Sequence, residues 1–121
     1  MTAERTVTVQ TIDQGDVTVP EPAWCTGHDD QAPQLLCDNG HLGTAYRAEF
    51  GGNELAYAAL VQDPFVEHSD RSVGVLVEMG HLARALSPGE LDELAAVLVD
   101  YAGTLRRLAR QLSVLKAGEG Q

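Results

Sequence analysis

From Arg5 to Ile12, Val7 and Val9 alternate with threonines, and after Gly15-Asp16 the alternation resumes in Val17-Thr18-Val19 before Pro20. Period-two patterning on both sides of a glycine predicts a β-hairpin. Tyr46, Ala48 and Phe50 alternate with Arg47 and Glu49 and run into Gly51-Gly52-Asn53. That turn predicts a second hairpin, with Leu55 to Val61 as the returning strand. The alanines of the returning segment also suit a short helix, and both readings stand. Val73, Val75 and Val77 predict a strand over Ser72 to Met79. Pro20, Pro22 and Pro33 cannot support a regular ladder, so residues 21–43 are expected to form a long irregular connection. A loop of that length in a small domain needs its own source of order.

From Ser87 the period changes. Ser87 suits an N-cap, Pro88 the first helical position, and Glu90 completes a capping box. Leu91, Leu94, Leu98, Tyr101, Leu105, Leu108, Leu112 and Leu115 then recur at alternating steps of three and four, the spacing of a coiled-coil seam. Ala95, Ala102 and Ala109 widen the stripe and leave room for another backbone. A helix over 87–116 with a buried apolar seam follows, ending in a flexible tail over 117–121. Glu90, Asp92, Glu93 and Asp100 come early and Arg106, Arg107, Arg110 and Lys116 late, as the macrodipole favours. The same polarity would make two antiparallel copies complementary. Gly103 has no evident reason to be there.

Composition narrows the function classes. With 121 residues, 44% of them hydrophobic, one small domain over 1–116 is expected, with little core to spare unless a metal or a partner helps. A formal charge of −10 repels phosphate backbones and anionic headgroups, which argues against nucleic acid and membrane surfaces as partners. Nothing in the first residues resembles a signal peptide or a spanning segment, so a cytoplasmic protein is expected. In that compartment two cysteines read as thiols or metal ligands, with a Cys25 to Cys37 disulfide as the alternative should the location differ.

The sharpest chemical feature lies in the irregular loop. Cys25-Thr26-Gly27-His28 is followed by Cys37-Asp38-Asn39-Gly40-His41, two knuckles of thiolate and imidazole, the ligands zinc prefers. Gly27 and Gly40 would allow the tight turns that knuckles need. Cys25, His28, Cys37 and His41 are the expected ligands, with Asp38 as an alternative to Cys37. Four protein ligands would clip the loop; three would leave a position for water and permit catalysis. Trp24 reads as a packing residue for the loop. His68 and His81 stand apart and read as solvated or locally bonded, though either would serve as a missing ligand. Serine-hydrolase, nucleotide-binding and zincin motifs are absent from the sequence.

Pro22-Ala23-Trp24-Cys25-Thr26-Gly27-His28, Asp38-Asn39-Gly40-His41 and Ser87-Pro88-Gly89-Glu90-Leu91 together resemble a family of small actinobacterial proteins, frequent in streptomycetes, known as a domain of unknown function. The resemblance covers most of the chain. It implies an intracellular, actinobacterial setting and favours Asp38 over Cys37, and it implies no activity. The expected fold is α+β, a small antiparallel sheet with a metal-clipped loop and one long C-terminal helix. The leading expectation for function is a non-enzymatic, zinc-stabilised interaction or regulatory module, paired with a protein partner or a second copy through the Leu91–Leu115 seam. A small metal-dependent hydrolase with an open zinc site and a metal-free oligomeric scaffold are the rivals.

Overall fold

Alternation and turn glycines produce strands where the sequence predicts them. The computed structural model describes residues 5–67 and 70–119, so His68 lies outside the described residues. In chain order the elements are β1 (Thr6–Thr11), β2 (Gly15–Pro20), a 3-10 turn (Leu36–Asp38), β3 (His41–Leu42), β4 (Tyr46–Phe50), β5 (Asn53–Gln62), β6 (Gly74–Met79) and α1 (Pro88–Glu119). The fold is α+β, with small antiparallel sheets, one long C-terminal helix and no closed barrel among the described residues. Among the described residues no helix is long and apolar enough to cross a membrane. The chain falls into two compact units, 1–44 with 60–74 and 45–59 with 75–121.

In the first unit β1 and β2 form the predicted hairpin, with Val9 opposite Val17 and Val7 opposite Val19. Val9 and Val19 are buried with Cys25, Leu60 and Val73. The irregular loop is tied down along its length. The Ile12 amide donates to the Gln34 carbonyl, the Leu36 amide to Asp13 Oδ1, and the Gly43 amide to the Leu60 carbonyl. β3 adds to the end of β5, with His41 opposite Gln62 and Leu42 opposite Val61.

The second unit is built on the β4–β5 hairpin. Gly51 and Gly52 both have positive φ, 57° and 81°, the backbone of the two-residue turn that matches strand twist. The alanine-rich segment is therefore strand, not helix. A bulge between Ala48 and Glu49 accommodates Leu55, so Leu55 and Ala56 are buried side by side, followed by Ala58 and Ala59 at 0% exposure. Small side chains fit a strand covered on both faces. β6 also pairs with β5.

The capping box forms as the sequence predicts. Ser87 N–H donates to Glu90 Oε1 at 3.0 Å and Glu90 N–H to Ser87 Oγ at 3.2 Å. Arg84 donates to the other carboxylate oxygen at 2.9 Å and lies over the Phe50 ring. α1 packs on β4, and the Tyr101 hydroxyl donates to the Tyr46 carbonyl at 2.8 Å. The helix continues to Glu119, past the expected end at Lys116.

Within one chain the seam is buried only in part. Tyr101 and Leu108 are buried, whereas Leu91, Leu98 and Leu105 are 53%, 50% and 36% exposed. At about 100° per residue, Leu98 lies about 60° around the helix from Tyr101. The seam is thus two neighbouring rows, and only the row through Tyr101 and Leu108 faces the sheet.

A Cβ on Gly103 would meet nothing within 4 Å, and its backbone is helical. Gly103→Ala should therefore stabilise the protein by roughly 1 kcal/mol, read as a raised midpoint in thermal or urea unfolding. A second expectation concerns acid. The Ser87 amide, the Arg84 side chain and the Ser87 hydroxyl hold the Glu90 carboxyl below the ordinary value. A lowered native pKa contributes stability above the unfolded pKa and loses it as pH falls through the native one. The stability advantage of wild type over Glu90→Gln should be constant near neutrality and vanish in acid, as measured by urea unfolding across pH.

Candidate metal centre

Three side chains from the irregular loop converge, and each is aimed by local structure. The Cys25 amide donates to the Pro22 carbonyl, and the Thr26 amide donates to the Leu42 carbonyl, which fixes the first knuckle beside β3. Gly27 has φ 105°, a conformation that favours glycine, and its amide donates to Cys25 Sγ at 3.4 Å. The turn brings His28 back toward the sulfur. β3 supplies His41. The result is Cys25 Sγ 3.7 Å from His28 Nε2, and His28 Nε2 3.4 Å from His41 Nδ1. All three atoms lie within 4.8 Å of one another. For metal–ligand bonds of about 2.0–2.3 Å, tetrahedral corners stand about 3.3–3.8 Å apart, the range in which both separations from His28 Nε2 fall.

The hydrogen-bond chain around His28 fixes its tautomer. The Leu35 carbonyl can only accept, and it takes a hydrogen from Asn39 Nδ2 at 3.0 Å. Asn39 Oδ1 must then accept from Gln31 Nε2, at 2.7 Å, which turns Gln31 Oε1 toward His28 Nδ1, at 3.0 Å. His28 Nδ1 therefore carries the hydrogen, and in the neutral ring Nε2 presents a lone pair to the cluster. Metal-binding imidazoles are held in this way. One proton on Nε2 would satisfy a single neighbour, whereas a divalent cation satisfies all of them.

Electrostatics point the same way for His41. Burial, then the adjacent His28, push its pKa down against Glu21 and Asp63, favouring the neutral ring a metal requires. Burial pushes the Cys25 thiol up, while the amides of Gly27 and Leu42 pull it down. Without a cation the thiol is the stable form; a bound metal would reverse that balance. Trp24 stands edge-on to His41, ring centroids 6.3 Å apart, so it packs directly on the cluster.

Cys37 and Asp38, expected from spacing as ligands, lie outside the converging group of Cys25, His28 and His41. Cys37 sits on the 3-10 turn, while His41 belongs to β3, and the buried Asn39 between them is bonded to Leu35. The second knuckle does not exist as a knuckle. Cys37 Sγ approaches the neighbouring Asp38 Oδ1 at 3.9 Å, and both cysteines are free thiols. Desolvation, then Asp38 and Asp13, raise the Cys37 pKa. Gly40 serves a purpose other than turn geometry: a Cβ there would collide with Asp63 and come within 2.9 Å of the Gln62 carbonyl. His81 is exposed and lies outside the group.

Sequence reasoning missed Gln31 and Asn39, whose part is visible only once the loop is folded. It also missed Glu21, whose Oε1 lies 3.7 Å from His28 Nε2. A cavity of about 310 Å³ lies beside the loop, lined by Thr8–Gln10 and His28–Gln31. Of the three converging residues only His28 lines it.

Neither a curated protein nor a solved structure matches the chain. A match to the domain of unknown function DUF6907 spans residues 6–114, and the chain belongs to that family.

Proposed function

We propose that the protein is a non-enzymatic interaction module whose irregular loop is held in shape by a zinc ion on Cys25, His28 and His41. The observation that carries this reading is the convergence of two imidazole nitrogens and a thiol within 4.8 Å of one another, with Cys25 and His41 only 5% and 6% exposed. Two imidazoles and a thiol held this close out of water are the ligand types zinc prefers. Zinc would supply charge and fix the loop. The residues of the chain do the rest: Gly27 shapes the knuckle, Gln31 and Asn39 orient His28, and Trp24 excludes water from His41. A cytoplasmic setting suits a free thiolate.

The partner we propose is a second copy of the chain. Leu91, Ala95, Leu98, Ala102, Leu105 and Ala109 form an exposed row with steps of four and three, separate from the row that faces β4. Two such rows placed antiparallel set Leu91 against the partner's Ala109 and Leu98 against the partner's Ala102, so that large meets small. That register also brings Asp92 of one copy near Arg106 of the other. Early acidic and late basic residues thus make the face complementary to itself.

Two measurements test these readings. Elemental analysis should find zinc, and removing it with a chelator should lower the thermal midpoint and change Trp24 fluorescence. Protein without metal that does not respond to added zinc would overturn the metal reading. Sedimentation should give a dimer for wild type and a monomer for Leu98→Glu. A wild-type monomer, or an unchanged mass in the variant, would overturn the self-association.

A further inference from the structure

We propose that Glu21 is the fourth ligand of this centre and closes its coordination sphere. The inference rests on the metal reading above and concerns a residue that no Cys/His spacing identifies.

The Glu21 side chain is 8% exposed, and its Oε1 is buried with no hydrogen-bond partner. A buried carboxylate oxygen left unpaired is expensive, because the charge has lost its water and gained no donor. Oε1 lies 3.7 Å from His28 Nε2, the separation also found between that nitrogen and Cys25 Sγ. The carboxylate also bears on the Cys25 thiol, whose pKa it helps to raise. Oε1 therefore stands beside His28 Nε2 without a hydrogen-bond partner; the carboxylate lies outside the mutual 4.8 Å spacing of Cys25, His28 and His41 and would shift toward them to join an ion.

The other oxygen is held from behind. Arg5 Nη2 is 3.3 Å from Glu21 Oε2 and also donates to the Cys25 carbonyl at 3.3 Å. The Glu21 amide donates in turn to the Arg5 carbonyl. This leaves Oε1 as the oxygen offered to the cluster, as an outer partner does for a metal-binding carboxylate.

Charge balance supports the same assignment. A divalent cation with one thiolate, one carboxylate and two neutral imidazoles is neutral, whereas water in place of the carboxylate leaves a net positive charge among buried groups. Arg5 is half-exposed, so its own charge is solvated. A closed sphere makes the ion a structural clip and removes the position that a metal-bound nucleophile would need.

Cobalt(II) is the probe. Added to the metal-free full chain, it should give a sulfur-to-cobalt charge-transfer band and the intense visible absorption of four-coordinate cobalt. In Glu21→Gln and Glu21→Ala the charge-transfer band should persist, while the visible band weakens and zinc affinity falls at least about tenfold. Asp38→Ala should behave as wild type. Water-proton relaxation by the cobalt-loaded wild type, which needs no variant, should show no exchangeable water on the metal. An inner-sphere water, or unchanged spectra and affinity in folded Glu21 variants, would overturn Glu21 as a ligand and leave the three-residue centre standing. No charge-transfer band in wild type would overturn both.

Discussion

Buried polar groups in a segment with almost no ladder to pair them are the constraint on which the loop depends. Residues 21–40 contain only a short 3-10 turn as regular structure, yet Asn39 within them and His41 just after are buried. A segment of this kind cannot meet its polar requirements through a ladder, so it must do so one contact at a time. Most contacts are ordinary, amide to carbonyl or side chain to backbone. At the centre of the loop Cys25, His28 and His41 converge, and beside them Glu21 Oε1 is left without a hydrogen-bond partner. A cation bound there would engage several of these groups at once, across as many as twenty residues of sequence.

The order in which the loop is held follows from this. Gly27, Gln31 and Asn39 act before any ion arrives, setting the sulfur and the His28 ring in place. An ion entering such a site would find its ligands largely arranged, and less of its binding free energy would go into ordering them. Trp24 and the buried Leu60 beneath Gly43 give the same segment an apolar anchor. Polar orientation and apolar packing therefore converge on one short stretch of chain.

Where residues obeyed a period, the sequence was legible. The β1–β2 alternation, the Tyr46–Phe50 strand, the glycine turn after it and the Ser87/Glu90 box are local patterns, and local patterns survive folding. The metal cluster was legible in part. Cys25-x-x-His28 is a single turn, and its spacing alone implies contact. Cys37-x-x-x-His41 looked similar on paper, but a strand begins at His41 and turns the comparison into one between two different elements. Gln31 and Glu21 carry no such spacing, since what brings them to His28 is the path of the loop. The helix shows a related limit: a seam with steps of three and four contains two rows, and sequence does not say which row the sheet will choose.

The proportions of that helix and the strand beneath it differ. Thirty-two helical residues extend about 48 Å at 1.5 Å each, while the five residues of β4 extend about 17 Å. The two buried side chains of α1, Tyr101 and Leu108, lie near the middle of the helix. Amide protection should therefore be graded along α1, deepest at the turns that carry them and shallow toward both ends, where opening needs no loss of the unit's core. Covering the exposed row would lengthen the protected stretch, so that association would appear as an ordering of the helix ends, with an entropic cost set by how loosely they were held before.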